Sequence, residues 1–427
     1  MSDASYWFSP TLSELSSSRI SLDFGLRAAD LFFRELVVPE LGRIWFVRQF
    51  SWPLASLALH DALQGQGSNA PKATAICHGI ESLACKLEYY VDPEDPSDRI
   101  LGRRAFGRDQ ESLVWSFPRL RQPSNYVRNT HRQAATRAIR KDGGLGFVTG
   151  ARFDLFELEP VGRALAEAFL DQRVGKGGTS LRKWLLGWLR GERDLSGWSN
   201  TLVDALSPEH PSAAERELVR SRVLQISSVA CQTRQRLARA VGLPAQLPDI
   251  EGVVVPRLRD AGHGRQADEV IAARAFGAVL DRARDATAAL TRAVEPGRGG
   301  VPVATLARDV DLRKAFAALK AAGKNFLSKA ATAGVTEPTS RAFTDALLGA
   351  KDEPQAIRFL VGRVGEVLGV SDSSVIRGAL FRVIDPTESL DGVEEGSTSI
   401  EPDRTGRTFR LANLHSLLRD VGQRGAA

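Results

Sequence analysis

Methionine occurs once, as Met1, and cysteine only as Cys77, Cys85 and Cys231. One methionine excludes a flexible Met-rich groove for apolar partners. An odd, sparse set of cysteines with no CxxC pair excludes a disulfide framework and a thiolate zinc site, and buried free thiols are expected. The histidines, His60, His78, His131, His210, His263 and His415, are scattered, and no pair has zinc-site spacing. No run of about 18 uncharged apolar residues occurs, so a membrane-spanning helix is not expected. The most apolar region, Leu31 to Leu63, is broken by Arg34, Glu35, Glu40, Arg43 and Arg48. The opening MSDASYWFSP lacks the positive region and apolar core of a secretory signal, which points to the cytoplasm. Tryptophan is absent after Trp198 and tyrosine after Tyr126.

What is present is ordinary for a globular chain. Of 427 residues, 43% are hydrophobic and 25% charged, enough for a real core and for two or three domains. Helical apolar spacing recurs throughout. The sequence predicts helices over Leu26–Val37, Leu41–Phe50, Leu54–Leu63 and Ala73–Tyr90 in an aromatic-rich first half. It predicts Leu181–Leu189 at the end of that half, and Ala267–Val294, Val303–Ala330, Ser340–Leu348 and Gln355–Leu368 in an all-helical second half. The expected fold is mainly α. Its expected parts are a helical domain (1–98), a basic winged-helix-like unit (99–170), a helical domain (171–384), an acidic loop (385–407) and a docking helix (408–427).

The net charge is +6, with arginine well ahead of lysine. Residues 99–152 hold twelve of the basic residues against three acids, a local excess of nine, so the basic character is concentrated there. Within this segment, Asp109–Phe117 suits a short helix, and Ser124 or Asn125 can cap a second one running to Lys141 and ending at Gly143–Gly144. On that helix Val127, Ala134, Ala135, Ala138 and Ile139 share an apolar arc, and the opposite arc is basic. Leu145–Val148 and Arg152–Leu158 read as a hairpin, followed by a helix over Val161–Leu170. Helix, turn, helix, hairpin, helix is the order of a winged helix, whose second helix enters the major groove. The residues expected to read bases are Asn129, Arg132, Gln133 and Thr136. Those expected to hold phosphates are Arg128, Arg137, Arg140, Lys141 and Arg152. The same face also suits a protein partner, and a solvated surface is the plainest alternative.

Catalytic motifs are missing. GKGGTS (Gly175–Ser180) lacks the spacing of a phosphate loop and reads as a linker. Cys77, His78 and Glu81 lie close on one helix, but helical spacing alone does not assemble a thiol enzyme. No cofactor and no metal are expected. The acidic loop Asp385–Asp403 could fold over the basic segment and mask it.

The motifs LGRRAF (Leu101–Phe106), RLRQPSNYVRNTHRQAATRAIR (Arg119–Arg140), FELEPVGRALAEAF (Phe156–Phe169) and FRLANLHSLLRD (Phe409–Asp420) lie within roughly a third of the chain. In style they resemble uncharacterised helical, winged-helix-like proteins of bacterial antiphage defence operons. The resemblance implies an accessory or sensor subunit beside an effector encoded elsewhere. It transfers no functional residue. The basic winged-helix-like segment itself points to double-stranded DNA as partner, with protein partners encoded nearby as the alternative.

Overall fold

The computed structural model describes residues 23–67, 70–108, 115–193, 199–294, 300–365, 367–378 and 408–422. The chain is mainly α-helical, with a few short strands. In order, its main elements begin with α1 (Arg27–Val37), α2 (Arg48–Gln64), α3 (Ala73–Val91), α4 (His131–Ala135), β1 (Val148–Thr149), β2 (Glu157–Leu158), α5 (Pro160–Leu170), β3 (Arg173–Val174), β4 (Thr179–Ser180), α6 (Leu181–Leu189) and α7 (Asn200–Leu206). There follow α8 (Ala213–Leu224), α9 (Val229–Val241), α10 (Gly264–Ala293), β5 (Val301–Pro302), α11 (Val310–Ala333), α12 (Pro338–Leu348), α13 (Glu353–Gly362), β6 (Leu368–Ser371), β7 (Ser374–Arg377) and α14 (Leu411–Gly422). Among the described residues, no helix is long and apolar enough to cross a membrane.

Packing divides the chain into two compact units. The larger comprises Phe32–Arg274 and Glu395–Ala427. Its centre is α2, which is buried along most of its length because apolar residues occur on every side of it. Pro53 lies inside this helix, just past its first turn, where it leaves the Gln49 carbonyl without its i→i+4 donor. Around α2 pack α3, α4 and α5. The helix expected at Phe409–Val421 is α14, and it lies against α8 and α9. Its Asp420, fully buried, accepts the Val47 N–H at 2.7 Å and the Arg99 guanidinium at 3.0 Å. The GKGGTS stretch is the turn of a hairpin, with Arg173 opposite Ser180 and Val174 opposite Thr179. Ser180 then caps α6 by accepting the Lys183 N–H.

The smaller unit comprises Met1–Leu31 and Ala275–Glu394. Phe24, Phe343 and Phe359 form one aromatic cluster, and Phe276 meets Phe326 at 5.6 Å. Contrary to the expectation from sequence, the second half of the chain is not wholly helical. It contains a three-stranded antiparallel sheet of order β5-β7-β6. Strands this short show too little alternation to be recognised, and the turn between β6 and β7 rests on Asp372 at φ 53°.

In the basic segment the backbone departs from the expected path. The helix expected over Asn125–Lys141 exists only as α4, one turn over His131–Ala135. The carbonyls of Ala138, Ile139 and Arg140, which would have continued a helix, instead accept N–H groups of Leu145, Phe147, Val148 and Gly146. Gly144 makes this return possible. A Cβ there would fall 2.4 Å from the Arg137 carbonyl oxygen. The expected hairpin is reduced to Val148 opposite Leu158 and Thr149 opposite Glu157, with a helical turn at Phe153–Leu155 between them. Most of the helix expected at Asp109–Phe117 lies outside the described residues, as does the acidic loop.

Gly162 of α5 lets the returning chain touch the helix backbone, since a Cβ there would stand 2.0 Å from the Phe147 carbonyl oxygen. Gly162→Ala gains about 1 kcal/mol of helix propensity. It must also displace a backbone that is hydrogen-bonded to Glu159. The expected net result is a loss of about 2 kcal/mol or more, seen as a lower midpoint in urea unfolding of the full chain.

Candidate nucleic-acid interface

The basic segment is anchored from beneath by Glu81 on α3, a carboxylate with no exposure. Its Oε2 accepts the His131 N–H at 2.9 Å and its Oε1 accepts the Arg132 N–H at 2.8 Å. These are the first N–H groups of α4, which Thr130 at the N-cap position leaves uncapped. A residue 50 positions away in sequence therefore supplies the cap. Cys77, one turn earlier on α3, donates its thiol to the same carboxylate at 3.3 Å. Burial outweighs these bonds and pushes the Glu81 carboxyl up to about 7. Burial, together with the neighbouring carboxylate, holds the Cys77 thiol well above its ordinary value, so it is no nucleophile.

His131 is equally enclosed. Gln49 Oε1 accepts the Trp45 N–H at 2.7 Å, which fixes the amide so that its Nε2 donates to His131 Nδ1 at 3.1 Å. The other ring nitrogen must then carry the proton and donate to the Arg99 carbonyl at 3.0 Å. Phe46 and Trp52 flank the ring. Burial holds this imidazole neutral, with its pKa lowered to about 3. Burial, aided by the charge of Arg132, lowers His78 to about 4. Both histidines serve structure, and neither touches a nucleophile.

On this frame the nine expected residues have different fates. Arg128, Gln133, Arg137, Lys141 and Arg152 are exposed, whereas Asn129, Arg132, Thr136 and Arg140 are half-buried. Thr136 donates its hydroxyl to the Arg132 carbonyl at 2.8 Å, and Gln133 donates its amide to the Arg128 carbonyl at 3.2 Å. Arg132 lies over the Phe153 ring, 5.0 Å from its centre. These bonds tie down side chains expected to read bases. Arg137 faces Glu35 at 3.6 Å and Lys141 faces Glu159 at 3.1 Å. Arg128, Arg140 and Arg152 have no ion-pair partner among the described residues.

Not every cation of the segment faces outward. Arg99 is committed to Asp420 and to Glu209 at 3.2 Å, and Arg103 donates to the carbonyls of Pro96 and Ser97. Beside them lies a cleft of about 520 Å³ lined by Trp45, Asp95, Asp98, Arg99, Glu209 and Asp420. Within it Arg99 pairs with Asp420 and Glu209, and Asp95 and Asp98 are exposed. Among the described residues, no group of His, Cys, Asp and Glu is placed to hold a metal ion.

Sequence reasoning misses Glu81 as a cap and His131 as a core group. The only local trace is the spacing of Cys77 and Glu81 on one helix face, which carries no information about what the carboxylate meets.

Comparison of the chain with protein-family models, curated proteins and solved structures finds no match.

Proposed function

We propose that the protein is a non-enzymatic nucleic-acid-binding subunit that docks on the phosphate backbone of double-stranded DNA through its larger unit. The observation that carries this reading is the set Arg128, Arg140 and Arg152. These are cations without acid partners among the described residues, on a segment fixed by a buried cap. Arg132 adds to the same positive field, whereas Arg137 and Lys141 are offset by Glu35 and Glu159. Interactions of this kind position a protein on a duplex without selecting its sequence, because base-reading side chains must be free to reach the groove. The resemblance to defence-operon proteins supports an accessory or sensor role beside an effector.

The test is binding of a 30-bp duplex by the full chain across a salt series. Replacing Arg128, Arg140 and Arg152 with glutamine is expected to lower the slope of log affinity against log salt by about 3, since each neutralised phosphate adds roughly 0.9 to it. An unchanged slope contradicts the reading.

One observation favours a protein partner instead. Leu155, at the tip of the β1–β2 connection, is 62% exposed beside Arg152. Under that reading Leu155→Glu abolishes nuclease-resistant co-purification of an effector, and duplex binding is absent.

A further inference from the structure

The smaller unit carries a second positive surface that the whole-chain charge conceals. Residues 312–336 contain Arg313, Lys314, Lys320, Lys324 and Lys329 and no acid. Nearly all of them belong to α11. The helix is amphipathic. Leu312, Phe316, Leu319, Gly323 and Phe326 are buried on one side, and the cations occupy the other.

Three of the nearby acids are used elsewhere. Asp309, Glu337 and Asp352 each cap a helix by accepting backbone N–H groups. Asp311 reaches only Lys314, at 3.9 Å, and Asp345 and Glu353 are the exposed acids of α12 and α13. Lys320 donates to the Ala350 carbonyl at 3.5 Å. Arg313, Lys324 and Lys329 are exposed and have no ion-pair partner among the described residues.

At about 1.5 Å and 100° per residue, Arg313 and Lys324 stand on one edge of the exposed face about 16 Å apart, and Lys329 on the opposite edge. Between the edges lie Val310, Lys314, Ala317, Ala321, Asn325, Ser328 and Thr332. This composition selects among polyanions. A membrane surface requires large apolar side chains on the docking helix, and single strands require aromatic rings on which bases stack. The face of α11 has a single exposed valine, Val310 at its first position, and no aromatic ring. Small side chains between cationic edges let a helix approach the backbones that flank a duplex groove, and lysine serves as a point charge for phosphate.

We propose that the exposed face of α11 is a second docking surface for the phosphate backbone of duplex DNA, carried by Arg313, Lys324 and Lys329. It rests on residues separate from those of the larger unit.

The experiment compares three full-length proteins on a 30-bp duplex across a salt series. They are the wild type, Arg313→Gln/Lys324→Gln/Lys329→Gln, and Arg128→Gln/Arg140→Gln/Arg152→Gln. Circular dichroism checks that helix content is unchanged. The α11 variant is expected to bind more than tenfold more weakly at about 0.1 M salt, with a slope reduced by about 3. Wild-type affinity in that variant overturns the proposal, even where the larger-unit variant is impaired. Loss in the α11 variant alone sustains it and removes the larger-unit reading. Wild-type binding to phosphatidylserine vesicles but to no duplex overturns it as well.

Discussion

Acidification from pH 6.5 to pH 4 is expected to destabilise the larger unit by a few kcal/mol, most steeply below pH 4.5. His131 and His78 are held neutral in the fold, down to about 3 and about 4. In the unfolded chain each takes up a proton near pH 6.5. Their contribution is therefore present above 6.5 and is lost as pH falls toward the folded values. Glu81 acts in the opposite sense. Its carboxyl is raised to about 7, so the stability linked to it is present below its ordinary value and lost as pH rises through 7. Between pH 6.5 and 4.5 the two histidines oppose one carboxyl, leaving a net slope of about 1.4 kcal/mol per pH unit. Below 4.5 the carboxyl no longer offsets them, and the slope roughly doubles. These three groups place the stability optimum near pH 6.5. Urea unfolding at stepped pH checks this. His131→Gln should flatten the acid limb by about one proton, and a limb as steep as the wild type's contradicts the assignment.

Arg48→Ala is expected to cost about 3–5 kcal/mol, because it breaks a buried ion pair by removing one partner. The guanidinium is wholly buried and donates to the carbonyls of Ala205 at 2.6 Å and His210 at 2.7 Å. It stands 3.4 Å from Glu215 and 4.7 Å from the centre of the Phe169 ring. Glu215 is tied to Ser51 and to the Ser212 N–H of the α8 capping box. Removing the cation leaves a buried carboxylate without its counter-charge, and the Ala205 and His210 carbonyls without this donor. Lysine should fail to restore the loss, because one ammonium cannot span two divergent carbonyls and a carboxylate. Arg48→Met combined with Glu215→Gln should lose less than Arg48→Ala, since no unpaired charge remains. Equal losses in urea unfolding would show that the ion pair does not dominate.

The mainly helical fold is legible in the sequence because its signals are local. Leu181–Leu189 follows from its own spacing, and α10, expected at Ala267–Val294, is found at Gly264–Ala293. The basic segment misleads for an equally physical reason. Val127, Ala134, Ala135, Ala138 and Ile139 do turn inward or to the half-buried margin. They do so around a tight turn whose carbonyls are claimed by Gly146, Phe147 and Val148. An apolar arc on a helical wheel does not reveal that a downstream strand will compete for the same hydrogen bonds. The Gly143–Gly144 pair looks like a helix stop, whereas Gly144 is needed for the close return of the chain. Exposed arginines can be anticipated as a group. Which of them are neutralised cannot, because Glu35 and Glu159 reach Arg137 and Lys141 from other elements.

The functional reading stands or falls on whether Arg128, Arg140 and Arg152 hold duplex phosphates. The salt dependence of duplex affinity, measured for the full chain and for its Arg128→Gln/Arg140→Gln/Arg152→Gln variant, tests this most directly. Tight binding at low salt is expected, with a slope about 3 shallower in the variant. Absence of wild-type binding at low salt, or equal slopes in the two proteins, would contradict it.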